Sequence, residues 1–172
     1  MKKFIKLPKG DLLSTFEEAA LVDDEELAFL FKAVCLIGCT GHGKSSTGNS
    51  LLDCNEFRTS PGTESQTCEL EGVLARWMVD TTEEPVIVLD TPGIGDTQNR
   101  DTKHIAEMVV RLKELGYVHT FLLVFNYEEP RLSEQTQDCL RLFCEVFDER
   151  FFENAMLVFT RYSNSETSIW NR

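Results

Sequence analysis

The chain has 172 residues, 42% hydrophobic and 27% charged, a balance that excludes a disordered or fibrous chain. Lys and Arg number 17 against 29 Asp and Glu, and the resulting net charge of −12 repels phosphate backbones, so nucleic acid is not expected as a partner. Any phosphate bound here must be held locally, by backbone amides and a few placed cations.

Residues 1–31 read as an N-terminal extension, partly helical. Leu12, Leu13, Phe16, Ala19 and Ala20 have helical spacing, with Glu17 and Glu18 on the other side. The opening MKKFIKLPKG has no apolar stretch behind its lysines, so it is not a signal peptide. No apolar run anywhere approaches the roughly 18 residues of a transmembrane segment.

From Lys32 the pattern becomes α/β. AVCLIG (33–38), PVIVLD (85–90), TFLLVF (120–125) and NAMLVFT (154–160) are short apolar runs that read as buried strands. ELEGVLARWMV (69–79) alternates more and suits a sheet edge. Between them, Ile105, Met108, Val109, Leu112 and Leu115 mark one helix, with Asp101 or Thr102 as cap and Gly116 as stop. Leu140, Phe143, Val146 and Phe147 mark another after Ser133. Strands alternating with helices predict a mostly parallel sheet covered on both faces, a three-layer domain.

The six cysteines (Cys35, Cys39, Cys54, Cys68, Cys139, Cys144) include no C-x-x-C pair, and His42, His104 and His119 show no ligand spacing. Buried thiols in a reducing, cytoplasmic compartment are expected, without a metal cage.

The first strand runs into GCTGHGKS (38–45), a G-x-x-x-x-G-K-S loop between a strand and a helix start. Gly38 and Gly43 let the backbone curl so that successive amides point at phosphate oxygens, and Thr40, Gly41 and His42 are candidate GTP-binding residues of the same loop. Lys44 supplies a point charge for the β- and γ-phosphates, and the Ser45 hydroxyl is a hard ligand for Mg²⁺. The helix beginning at Lys44, with Ser46 in its first turn, aims its positive end at the same place. The His42 side chain is expected to point outward while its amide binds phosphate.

VIVLDTPGIGDT (86–97) adds D-x-x-G at the end of the second buried strand. Asp90 can hold Mg²⁺ through a water, and the Gly93 amide can bond the γ-phosphate. A kinase or ATPase does not need D-T-P-G, whereas a switch that senses the γ-phosphate does. Ile94 stands where small GTPases keep a water-orienting glutamine, so intrinsic hydrolysis by that route should be poor. EFRTSPGTESQTCELE (56–71) is a polar loop in which a threonine would complete the Mg²⁺ shell; Thr67 is favoured, with Thr59 and Thr63 as rivals.

GCTGHGKSSTGNSLL (38–52), DTPGIGDT, HTFLLV (119–124), RLSEQTQ (131–137) and LVFTRYS (157–163) together resemble the AIG-type GTPases, the GIMAP or immunity-associated group. The resemblance runs from about residue 33 to 163. It implies a P-loop NTPase fold related to septins, GTP or GDP as ligand with Mg²⁺ as cofactor, and a homodimer through the G domain in which some members hydrolyse GTP. It also gives Arg131 the position of an arginine that acts across that interface. An arginine in trans would stabilise transition-state charge, worth roughly 10³–10⁵ in rate; the plainer reading is a surface arginine near the cap of the following helix. The family's guanine-reading segment corresponds to Thr160-Arg161-Tyr162-Ser163, where Ser163 replaces an aspartate and cannot form its charge-assisted pair with the base. Base selectivity would then be weakened, or be supplied by the backbone and by stacking on Arg161 or Tyr162. A complete G domain would continue past Arg172, so the domain 32–172 is expected to be C-terminally incomplete, less stable and a poorer binder. The leading expectation is a slow GTPase that assembles on GTP. The alternatives are a nucleotide-dependent interaction module without turnover, and a P-loop kinase or ATPase.

Overall fold

A computed structural model describes residues 5–6, 31–59, 70–93, 106, 108–113, 117–129, 132–147 and 149–163. Six strands form one sheet: β1 (Ile5–Lys6), β2 (Lys32–Ile37), β3 (Glu71–Val79), β4 (Thr82–Asp90), β5 (Thr120–Asn126) and β6 (Ala155–Thr160). Their spatial order is β1-β3-β4-β2-β5-β6. β4, β2, β5 and β6 run parallel to one another, and β3 and β1 add antiparallel pairs beyond β4. The two helices bounded here are α1 (Lys44–Leu52) and α2 (Glu134–Phe147), and residues 108–113 are also helical. None of the described helices is long and apolar enough to cross a membrane.

The central strands bury both faces because their apolar side chains alternate between two cores. Cys35, Ile37, Ile87, Leu89, Phe121 and Leu123 point to one side, where Met108, Leu112 and Phe151 cover them. Val34, Leu36, Val86, Val88, Leu122 and Val124 point to the other, against Leu52 and Phe57. With period two along each strand, this gives the expected three layers. α2 starts where the sequence placed it: Ser133 Oγ accepts the Thr136 N–H at 3.2 Å as an N-cap.

β6 departs from expectation. Its apolar run predicted a buried strand, yet Met156, Leu157 and Phe159 are more than half exposed. Among the described strands β6 pairs only with β5, so its outer edge and part of each face lack cover. Conversely, β3 is not the outermost strand: Ile5 and Lys6 pair with Leu74 and Val73. The helical pattern at 12–20 lies outside the described residues, as do Asp101, Thr102, Gly116 and Cys68.

Strand pairing at the amino end of β2 uses a side chain as a rung. The His119 N–H donates to Ala33 O at 2.9 Å, and His119 Nδ1 accepts the Ala33 N–H at 3.0 Å. Protonating Nδ1 would destroy the second bond. Partial burial, aided by the Lys32 charge, holds the imidazole below its ordinary 6.5. Above 6.5 the folded and unfolded chains are both neutral at this site. As pH falls below it, the unfolded chain takes a proton that the folded one refuses, so stability drops until the folded-state value is passed. Thermal denaturation from pH 8 to pH 5 should therefore show a steeper fall in Tm for the wild type than for His119→Asn, whose amide oxygen can still accept from Ala33. Parallel curves would refute this assignment.

Candidate functional site

All four parallel strands end on one edge of the sheet, and the functional segments begin there. Leu36 pairs with Asp90, Ile37 with Leu123, and Asn126 with Thr160, so the register brings the ends of β4, β2, β5 and β6 level. Because β4 and β5 lie on opposite sides of β2, the loop leaving β2 sits where the strand order reverses, the usual place for a ligand crevice.

Gly38 leaves β2 directly against β5: a Cβ here would overlap the Val124 carbonyl oxygen. Gly41 and Gly43 then turn the chain with φ of 80° and 90°, a region that favours glycine, and Gly43 is the N-cap residue of α1. Lys44 is 6% exposed, and its Nζ donates to Cys39 O across the loop at 3.1 Å. Ser45 Oγ donates to Asp90 Oδ2 at 2.6 Å, joining the start of α1 to the end of β4. Gly93 packs so tightly on the loop that a Cβ there would stand 2.6 Å from Thr40 Cα. Thr40 Oγ1 is buried and lacks a hydrogen-bond partner among the described residues. Ser46 is exposed on the first turn of α1.

These donors suit a hydrated, hard cation beside a phosphate. A hydroxyl and a carboxylate oxygen in contact at a helix N-terminus form an all-oxygen pair of the kind Mg²⁺ takes. An ammonium group, loop amides and an orphaned hydroxyl stand next to them. The expected phosphate-loop residues are thus brought together.

His42 does not behave as expected. Its side chain is buried at 6% exposure and folds back under the loop instead of pointing outward. Nδ1 lies 3.3 Å from Val124 O, and Nε2 lies 3.0 Å from Glu129 Oε2. The backbone N–H donates to Cys39 O at 3.2 Å, closing a turn within the loop. A carboxylate within reach outweighs exposure for a ring that can donate. Asn126 Nδ2 donates to the other carboxylate oxygen of Glu129 at 3.1 Å. Burial pushes the Glu129 carboxyl up, but the hydrogen bonds from Asn126 and His42 and the nearby His42 and Arg161 charges outweigh it and hold it below the ordinary carboxylate range. Glu129 and Asn126 were not found from sequence. His42 and Glu129 are 87 positions apart, and no spacing rule connects them. The loop also rests on α2, where Cys39 Sγ lies 2.5 Å from Thr136 Oγ1.

The Thr160–Ser163 segment reaches the same loop. Thr160 Oγ1 donates to His42 O at 2.6 Å. Arg161, with φ 55°, donates from Nη2 to Gly41 O at 3.1 Å and pairs with Glu128 at 4.0 Å. The Tyr162 ring meets Tyr127 edge-on at 4.9 Å, leaving Ser163 exposed at the outer end. Of the remaining candidates, Thr59 is exposed, whereas Thr63, Thr67, Ile94 and Arg131 lie outside the described residues.

The chain is similar to several known proteins. Over 133 residues the chain is 33% identical to immune-associated nucleotide-binding protein 9 of Arabidopsis thaliana, covering 75% of this chain and 36% of that one. Over 131 residues it is 30% identical to immune-associated nucleotide-binding protein 7 of the same plant, covering 74% and 40%. The chain therefore spans well under half the length of these relatives. The fold is that of a dimerization-deficient mutant of Toc33 from Arabidopsis thaliana, with TM-score 0.61 at 18% identity over 93% of this chain and 63% of that one. It is also that of Era from Aquifex aeolicus bound to GDP·AlF4−, with TM-score 0.58 at 17% identity over 82% and 44%. Residues 32–171 match the AIG1 family, and the chain belongs to it.

Proposed function

We propose that this chain is a cytoplasmic GTP-binding switch that holds GTP or GDP with Mg²⁺ and hydrolyses GTP slowly, faster when two copies meet through their G domains. The observation that carries the reading is the Ser45–Asp90 contact of 2.6 Å at the start of α1, with the Lys44 ammonium in the same loop. Ser45, and Asp90 through a water, would hold the metal, which would neutralise phosphate charge. Lys44 and the loop amides bind and orient the phosphates. Gly93, which packs against Thr40, would read whether a γ-phosphate is present. With Ile94 unable to hold a water, Arg131 from the second copy would supply the missing transition-state charge. Toc33 from Arabidopsis thaliana has been solved in complex with GDP and Mg²⁺, and dimerization is important for the GTPase activity of the chloroplast translocon components atToc33 and psToc159, which supports the same design here.

A fluorescent GTP analogue titrated with Mg²⁺ should be displaced by GTP and GDP but not by ATP, and turnover should rise more than linearly with protein concentration and vanish in Arg131→Ala. A preference for ATP would overturn the guanine reading and restore a kinase or ATPase. Ser163, exposed where an aspartate would read the base, favours a second reading, a nucleotide-dependent interaction module. Binding without turnover at any concentration would establish that one.

A further inference from the structure

Gly41 and Gly43 turn the phosphate loop through positive φ, and a Cβ at Gly41 would meet nothing within 4 Å. Two permissive residues so close together give the loop backbone freedom that binding must remove. Between them stands His42, the residue whose side chain can be gripped, and its ring is bonded to Glu129.

Glu129 is presented by a turn that is itself fixed. Its N–H donates to Asn126 O at 3.1 Å, and Asn126 Oδ1 accepts the Glu128 N–H at 3.1 Å. The Tyr127 N–H donates to Thr160 O at 3.0 Å, which ties the same turn to β6. Asn126, 7% exposed, holds one carboxylate oxygen of Glu129 through Nδ2 and leaves the other for His42 Nε2. Both oxygens are thus engaged although the side chain is 53% exposed.

Charge alone argues against this arrangement. A carboxylate bonded to a loop meant for phosphates repels them, in a molecule whose net charge is already −12. Two effects of opposite sign therefore meet at Glu129: repulsion weakens binding, and ordering of the loop strengthens it. Solvent screens the repulsion at a half-exposed group. Ordering one residue's backbone in advance is worth about fivefold to thirtyfold in affinity, so ordering wins. We infer that Glu129 is a positioning residue of the phosphate loop: through the His42 ring it fixes the peptide planes between Gly41 and Gly43 in the arrangement that receives phosphate. The inference deepens the proposed function and rests on its guanine-nucleotide binding.

The affinity of the full chain for GDP with Mg²⁺, measured by displacement of a fluorescent GTP analogue, separates the two effects by sign. Glu129→Ala removes charge and grip together and should weaken binding about tenfold. Glu129→Gln removes the charge but keeps an acceptor for the ring, and should recover most of that loss. Glu129→Asp keeps the charge but falls one methylene short of the ring, and should bind no better than Glu129→Ala. These two decide the matter if Glu129→Ala does not fold. In a His42→Ala background Glu129→Ala should weaken binding no further, because the ring that carries its effect is gone. Unchanged or tighter binding in Glu129→Ala, whatever its Tm, would overturn the inference, and so would an undiminished loss in the His42→Ala background. If the wild type shows no Lys44-dependent binding of guanine nucleotide, the proposed function falls first and the inference with it.

Discussion

Lys44→Ala should reduce affinity for guanine nucleotides by about 30- to 4,000-fold, the loss of about 2–5 kcal/mol expected when one partner of a buried charge-assisted contact is removed. The net charge of −12 makes the effect large. The molecule as a whole repels a nucleoside triphosphate, so attraction must come from groups within a few ångströms, where screening is weak. Lys44 is held inside the loop at 6% exposure with its Nζ on Cys39 O, and a phosphate oxygen is a stronger acceptor than that carbonyl. Lys44→Arg is expected to lose most of the affinity as well, because a planar guanidinium cannot replace a compact ammonium in so closed a loop. The folded state should survive both changes, since the loop gives up a buried charge in one and keeps it in the other. Titration by fluorescence or calorimetry, with a Tm measured alongside, checks this. Wild-type affinity in Lys44→Ala would remove the loop from the binding site.

Gly38→Ala should destabilise the fold by about 3 kcal/mol, read as a fall in Tm of about 6–12 °C for a chain of this size. The added methyl group would overlap the Val124 carbonyl oxygen and stand 3.3 Å from its carbon. Neither backbone can yield: Leu36 and Ile37 are paired with Leu122 and Leu123, and all four side chains are buried in the two cores. Gly41→Ala is the internal comparison. A Cβ there meets nothing within 4 Å, but φ is 80°, so the cost is the conformational one of about 1–2 kcal/mol. Thermal or urea denaturation of the two variants separates collision from backbone strain. Equal losses would show that β2 and β5 can part at this point, against the packing described.

The sequence made most of the sheet legible because buried parallel strands need runs that are apolar on both faces, and such runs at 33–38, 85–90 and 120–125 became β2, β4 and β5. The same rule misjudged β6, since a strand's apolar content does not reveal whether a neighbour will lie on each side. Lys44, Ser45 and Asp90 were legible because their chemistry constrains residue type and spacing together. Glu129 was not, because its role comes from β2 and β5 lying side by side, a pairing that only folding creates. The orientation of His42 was missed for the same reason: a polar loop residue is expected outside unless a partner is known to wait beneath it. Asn49 was seen only as part of a signature, since nothing in the string TGNS says that its amide reaches eight positions forward to Phe57.

Thr160 and Arg161 are both bonded to carbonyls of the phosphate loop, at His42 and Gly41. The part that would meet the base and the part that would meet the phosphates are therefore one mechanical body. Filling either end stiffens the other, so a nucleoside and pyrophosphate supplied as separate molecules would each bind more tightly in the other's company, and by the same factor in both directions. Under the proposed function, recognition in such a site would be cooperative within a single ligand: guanosine would pre-arrange the cradle for its own phosphates, and weak reading of the base at Ser163 would also cost part of the grip on the phosphates.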